Sequence, residues 1–149
     1  MIRKATADDA EEFCHVITQS IITLCTLDHK NDRQMLNDWL ANKTPENCKK
    51  WIEDANLNSF VAEENQRILG ISQIGHNGHL YLCYVLPGAE GKGIGKQLLQ
   101  TAEQSVITKA LTNFTLESTQ TARGFYEHHG YQYDGKSKSC LKLFKPIKP

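Results

Sequence analysis

What this sequence has little of narrows its class before any motif is considered. No apolar run approaches the roughly 20 residues that a bilayer-spanning helix needs, and Met1-Ile2-Arg3-Lys4 runs straight into Ala-Thr-Ala-Asp-Asp without the apolar segment of a secretory leader. A membrane partner is therefore not expected, and the expected setting is soluble and cytoplasmic. Neither charge is in excess: Lys plus Arg and Asp plus Glu each number 17, so the overall balance gives no reason to expect a nucleic-acid surface. The five cysteines (14, 25, 48, 83, 140) are odd in number and lack C-x-x-C spacing. That pattern suits reduced, partly buried thiols, and neither a disulfide framework nor a metal site is expected. Repeats, low-complexity tracts and linker-like stretches are also missing, so the 149 residues are read as one domain, residues 1–149, with a single sizeable core.

What is present is organised around residues 79–104. Leu80-Tyr81-Leu82-Cys83-Tyr84-Val85 is a short aromatic and branched run that stops at Pro87, as a buried strand does. Beyond it Ile94, Leu98, Leu99, Ala102 and Val106 recur at helical spacing, with Lys96, Gln97, Gln100 and Glu103 on the opposite face. Between them lies Gly91-Lys92-Gly93-Ile94-Gly95-Lys96. Glycines at a helix start let the backbone approach a ligand, and the unpaired N–H groups there suit a phosphate or pyrophosphate. A tight strand-to-helix turn also wants glycine with no ligand present, so spacing has to decide. The P-loop pattern fails, with Glu90 where its first glycine belongs and Gln97 after Lys96. The dinucleotide fingerprint would need glycine at Lys96 or at Leu98 and fails as well.

The arrangement that fits is a strand, Val85-x-Pro87, alternating glycines and an amphipathic helix. It resembles the acetyl-CoA pyrophosphate loop of the GNAT superfamily of N-acetyltransferases. Glu90 departs from the Gln or Arg usual there, and is expected to face solvent or to cap the helix, where an acid is favoured. A second block supports the likeness: residues 116–131 resemble the family's later motif, with a strand end, Ala122-x-x-Phe125-Tyr126-Glu127 on a helix, and Gly130-Tyr131 as its stop. The resemblance covers residues 58–144 well and the first 57 residues loosely.

Read in order, Ile2 to Lys4 is a first strand, and Thr6 with Asp9 forms a capping box opening a helix through Phe13, Val16, Ile17 and Ile21 to about Thr23. Residues 24–31 read as polar and irregular. A short helix carries Met35, Leu36, Trp39 and Leu40, and Thr44-Pro45-Glu46 starts another with Cys48, Trp51 and Ile52. Residues 59–63 and 68–74 make a hairpin, and the run from His79 pairs as a third antiparallel strand. Residues 113–117, the second-motif helix, and a closing hairpin turning at Asp134-Gly135 into Ser139 complete the chain. The fold class is α/β (α+β), with a mostly antiparallel mixed central sheet and helices on both faces. The resemblance adds splayed central strands, here those ending at Val85 and Glu117.

The resemblance implies acetyl-CoA as co-substrate, with no metal. Its phosphates would meet Gly91, Lys92, Gly93, Ile94, Gly95 and Lys96, and its pantetheine arm would pair along Cys83, Tyr84 and Val85 as an added strand. Transfer by direct attack needs a neutral amine, yet a lysine-like amine with pKa about 10.4 is charged in all but roughly one molecule in a thousand near pH 7. A base or a desolvated site must supply the neutral form, and a proton donor helps the leaving thiolate. Tyr126 matches the family's donor, with Phe125 as the core member of the pair, although both rings could serve only to pack the helix. For the base, His79 stands near the position of the family's strand glutamate and Glu117 at the end of the splayed strand. A strand-start histidine is often just exposed, and both readings stay open. His128 and His129 are expected at their helix C-terminus or near the adenosine phosphate, and Cys83 in the core. No Cys-His pair has the context of an acyl-enzyme nucleophile.

The segment from Ile21 to Trp51 is expected to build the acceptor pocket, through Ser20, Cys25, Asp28, His29, Asp32 and Trp39, although surface-loop composition would explain these equally. The acceptor is a small-molecule amine or a protein amino group. A polyamine, an aminoglycoside-like compound and an amino acid are all open, and so is a homodimer. The competing reading is a non-catalytic acyl-CoA-binding regulatory or interaction module, which the retained Tyr126 disfavours and Glu90 favours.

Overall fold

The first strand, β1 (Ile2–Lys4), carries Arg3, whose guanidinium bridges Asp9 (2.8 Å) and Glu63 (3.2 Å). Asp9 also accepts the Thr6 backbone N–H at 2.7 Å. The hydrogen bonds from Arg3 hold the Asp9 carboxyl below its usual range, against the opposing effect of burial. The expected helix start is preceded by one 3-10 turn, Ala7–Asp9, after which α1 spans Ala10–Leu24 and buries Phe13, Val16, Ile17 and Ile21.

Residues expected to be irregular contain a short helix, α2 (Thr26–His29). It forms because His29 is buried: its ring Nε2 meets the Ile21 carbonyl at 2.9 Å and its Nδ1 accepts the Asn31 N–H at 3.0 Å, which fixes the proton on Nε2. Next, α3 (Arg33–Leu40) is capped by Asp32 and α4 (Pro45–Glu53) by Thr44, with proline at its first turn.

The hairpin β2 (Leu57–Glu64) and β3 (Arg67–Gly75) turns on Asn65-Gln66, both left-handed, as a two-residue hairpin requires. Then come β4 (His79–Val85), α5 (Ile94–Val106), β5 (Asn113–Ser118), α6 (Arg123–His128), β6 (Gln132–Ser137) and β7 (Cys140–Pro146). The computed structural model describes residues 1–137 and 140–148, so Ser139, expected in the last strand, lies outside the described residues. Asp134-Gly135 is not the hairpin turn. It sits inside β6, where the register shifts between Tyr133 and Lys136 and Gly135 has φ +108°, the positive φ that makes glycine the natural residue at a bulge.

The sheet runs β1-β2-β3-β4-β5-β7-β6, antiparallel throughout except for the parallel pair β4–β5. On one face α5 and α6 pack through Leu98, Leu99, Ala102 and Tyr126 onto Phe60, Ile74, Leu80 and Leu116. On the other, α1 and α4 pack onto Val61, Ile71 and Leu82. Burying a leucine as completely as Leu98 or Leu99 contributes roughly 1.5–3 kcal/mol. Glu103, expected on the polar face of α5, is buried instead: it accepts from the Tyr131 hydroxyl (2.7 Å) and the Lys145 ammonium (3.1 Å), which tie it to the C-terminal part of the chain. Among the described residues no helix is long and apolar enough to cross a membrane.

Candidate active site

Two irregularities of the central sheet create the site. The first is a bulge at Tyr81: Ile74 pairs with Leu80 but Gln73 with Leu82, so Tyr81 has no partner. Leu80 consequently faces α5 and Leu82 faces α1, although they are two residues apart. Tyr81 itself stands 51% exposed. The second is the divergence of the parallel pair. Only His79 with Thr115 and Leu80 with Leu116 are in register, and beyond them the strands separate.

The gap leaves an open backbone edge. The Leu86 N–H bonds the Leu69 carbonyl on β3, so by strand alternation Tyr84 also turns its N–H and C=O to β3, whereas those of Cys83 and Val85 face the gap. A narrow cleft runs between the two strands, lined by Tyr81 to Tyr84 on one side and by Glu117, Thr119 and Tyr126 on the other.

At one end lies the glycine loop. Gly88, Gly91 and Gly93 have φ of +92°, +81° and +79°, and a Cβ on any of them would meet nothing within 4 Å. Backbone conformation therefore demands these glycines, and the space over them is open. Gly93 is the N-cap of α5, and the first helical bond runs from the Gln97 N–H to the Gly93 carbonyl. The N–H groups of Ile94, Gly95 and Lys96 accordingly have no acceptor within the helix. Gly95, within α5, has an ordinary φ, and a Cβ built on it would lie 3.4 Å from the Phe125 ring, in contact with it. Glu90 is exposed and does not cap α5. Its carboxylate turns back to accept the Gly88 N–H at 2.8 Å.

Tyr126 is the buried member of its aromatic pair, 6% exposed, while Phe125, expected as the core member, is half-buried. The Tyr126 ring meets Phe125 and Tyr131 edge-on, and its hydroxyl lies beside the Cys83 thiol. Burial holds that hydroxyl well above its ordinary value. Burial likewise pushes the Cys83 thiol up to about 12, so it packs as an inert neutral group below α5.

His79 and Glu117 come near one another on the α1 face. His79 Nδ1 is 2.8 Å from the Thr115 hydroxyl and its ring stacks edge-on with Tyr81. Burial lowers its pKa, partly opposed by the charge of Glu117. Glu117 lines the cleft, whereas His79 does not. Glu117 is also exposed. His129 follows α6, stacked on Phe125, its pKa lowered by partial burial and by His128 and Lys96. This places it beside the start of α5.

Three of the residues expected in the acceptor pocket are bonded within the fold. His29 ends α1, Asp32 caps α3, and Asp28 accepts the backbone N–H groups of Gln120 (2.6 Å) and Thr121 (3.2 Å), anchoring the loop between β5 and α6. The wider pocket, about 420 Å³, opens on the α4 side among Lys43, Trp51, Asp54, Leu57 and Gln73, and shares Tyr81 and Leu82 with the narrow cleft. Only the bulge brings Tyr81 there, and a continuous apolar run gave no sign of it.

The profile of the acetyltransferase (GNAT) domain family matches residues 26–140. The chain belongs to this family. The whole GNAT fold is present, as solved structures show: PaiA N-acetyltransferase from Thermoplasma acidophilum, in complex with coenzyme A, is 19% identical, with 99% of this chain and 98% of that one covered at a TM-score of 0.84. A GCN5-related N-acetyltransferase from Rhodopseudomonas palustris is 16% identical, with 99% and 95% covered at 0.87. A GNAT-family acetyltransferase from Staphylococcus aureus Mu50 is 19% identical, with 99% of each chain covered at 0.73. Among curated protein sequences there is no match. In this GNAT domain the parallel pair that splays is β4–β5, the pair the motifs singled out.

Proposed function

We propose that the protein transfers an acetyl group from acetyl-CoA to a primary amine by direct attack, both substrates being bound together. The observation that carries this reading is the splayed pair β4–β5, with an unpaired backbone edge at Cys83 and Val85 and a glycine loop at one end. Relatedness to a structure containing coenzyme A supports the choice of donor.

The residues present fit the donor. Gly91 and Gly93 leave open space over the loop, the N–H groups of Ile94, Gly95 and Lys96 are free for the pyrophosphate, and the Cys83 and Val85 edge suits the amides of an extended arm. Bound there, acetyl-CoA supplies an activated acetyl thioester. The free N–H groups of β4 are donors for the carbonyl oxygen as it gains charge. The Tyr126 hydroxyl, kept protonated by its burial, holds the proton for the departing sulfur. Glu117, at the mouth of the cleft, takes the amine proton directly or through water, with the neutral imidazole of His79 next to it.

The test is turnover of acetyl-CoA with a panel of amines, read by release of free thiol, together with calorimetry of coenzyme A binding. Thiol release that depends on the amine supports the proposal. Tight binding without turnover for any amine would instead favour the non-catalytic module.

A further inference from the structure

The wide pocket carries an inference about the acceptor that rests on the transfer reading above. Its wall includes Lys43, a half-buried cation at the C-terminal end of α3. The Lys43 ammonium is 2.6 Å from Asn42 Oδ1 and 3.4 Å from the Trp39 carbonyl, both neutral acceptors. Among the described residues no carboxylate lies within ion-pair distance of it. An ammonium has three protons to donate, so one remains for a ligand. Burial also disfavours its charge, and the nearby Cys14 and Cys48 thiols, themselves pushed up, give it no counter-ion at neutral pH. A cation held partly out of water beside an open pocket gains most from an anion that enters the pocket.

The rest of the wall restricts what that anion belongs to. Trp51, Leu57 and Leu82 are apolar surface, while Asp54 sets the opposite charge at the exposed rim. Tyr81 belongs to both clefts, so a molecule seated here can extend its amine to the splay. A polyamine or an aminoglycoside-like polycation would bring positive charge against Lys43, whereas a carboxylate on the acceptor matches it.

We propose that the acceptor is an amino-carboxylate, an α-amino acid with an apolar side chain, whose carboxylate pairs with Lys43 while its amine, on the neighbouring carbon, turns toward Tyr81 and the splay. The side chain lies on Trp51 and Leu57.

The experiment measures kcat/KM with acetyl-CoA for L-phenylalanine and L-leucine against their primary carboxamides. Binding of the same four compounds in the presence of coenzyme A is followed by calorimetry. The amine of a carboxamide is the less basic, so chemistry alone would favour the amide. The proposal predicts that the acid wins by about tenfold or more, the usual scale for a charge-assisted bond. The acid-to-amide ratio should collapse toward one in Lys43→Gln and largely return in Lys43→Arg, which also controls for folding. A ratio near one in the native protein, or one unmoved by Lys43→Gln, overturns the proposal, as does failure of all four compounds to bind. If the acids bind in a Lys43-dependent way without being acetylated, the pocket assignment stands and the transfer reading fails. If the amides are acetylated as well as the acids, transfer stands and this assignment fails.

Discussion

Replacing Tyr126 with phenylalanine removes one oxygen from the lining of the narrow cleft. The hydroxyl has the Cys83 thiol beside it, and sulfur makes a weak hydrogen bond, so the stability lost should be under about 1 kcal/mol. The ring contacts with Phe125 and Tyr131 are kept, and the groups assigned to coenzyme A lie on other elements, the glycine loop and β4. Affinity for coenzyme A should therefore change by less than about threefold, well under 1 kcal/mol. Turnover should fall by 10²–10⁴-fold, the usual range for loss of a general acid, equivalent to about 2.7–5.5 kcal/mol of barrier. The assay is thiol release for kcat and kcat/KM, calorimetry for coenzyme A, and thermal melting for the fold. Because burial raises the Tyr126 pKa, the native enzyme should show no basic limb from this group below about pH 10. Unchanged kcat, in a protein whose solvent isotope effect shows chemistry to be limiting, would refute the acid role and leave Tyr126 as packing.

The remaining predictions concern the loop, the base and the fold. Gly93→Val forces a branched residue to φ +79° where the pyrophosphate is expected, and should weaken coenzyme A binding by at least about tenfold. Gly95→Val should instead act through the displaced Phe125 ring and be seen first as a lower melting temperature. Glu117→Gln should lower kcat/KM more than about tenfold and more than His79→Gln does. His79 has a lowered pKa, so it stays neutral until the pH falls below the ordinary histidine value, and any acidic limb it causes must lie there and vanish in His79→Gln. Equal, small effects of both substitutions would assign amine deprotonation to solvent. Asp9→Asn should cost on the order of 1 kcal/mol at neutral pH, given the partial exposure of its partner Arg3. The folded Asp9 pKa is depressed, so that contribution is present above the ordinary carboxylate value and is lost as pH falls through the folded one. Urea melts of both proteins should therefore converge as the pH falls through the depressed Asp9 value.

Features written in local chemistry were legible in the sequence. Thr44-Pro45-Glu46 carries its helix-start signal in a cap and a first-turn proline, and the Leu98, Leu99, Ala102 and Val106 spacing marks the apolar face of α5. Features decided by tertiary contact were not. The four-residue α2 owes its existence to a histidine whose partners, Ile21 and Asn31, become visible only once the chain is folded. Asp134-Gly135 carries the same glycine signal for a turn and for a bulge, and only the pairing of β6 with β7 separates them. The segment from Ile21 to Trp51 does supply Asn42, Lys43 and Trp51 to the wider pocket, but the roles of its acidic residues depend on tertiary contact. Asp28 and Asp32 look like ligand contacts because they are polar and in loops, yet their oxygens are taken by backbone N–H groups. Lys43, ordinary in sequence, is made unusual by what surrounds it.

The central claim, direct transfer within the β4–β5 cleft, is tested most directly by mixing the protein with acetyl-CoA carrying an isotopically labelled acetyl group, with and without an amine, and taking masses of both protein and acceptor. The account predicts label on the amine alone. In the absence of amine the protein should stay unmodified, because the one cysteine lining the cleft among the described residues, Cys83, is half-buried with its thiol pushed up to about 12. Labelled protein that forms first and then passes its acetyl to the amine would contradict the account, and so would intact acetyl-CoA after incubation with every amine tried.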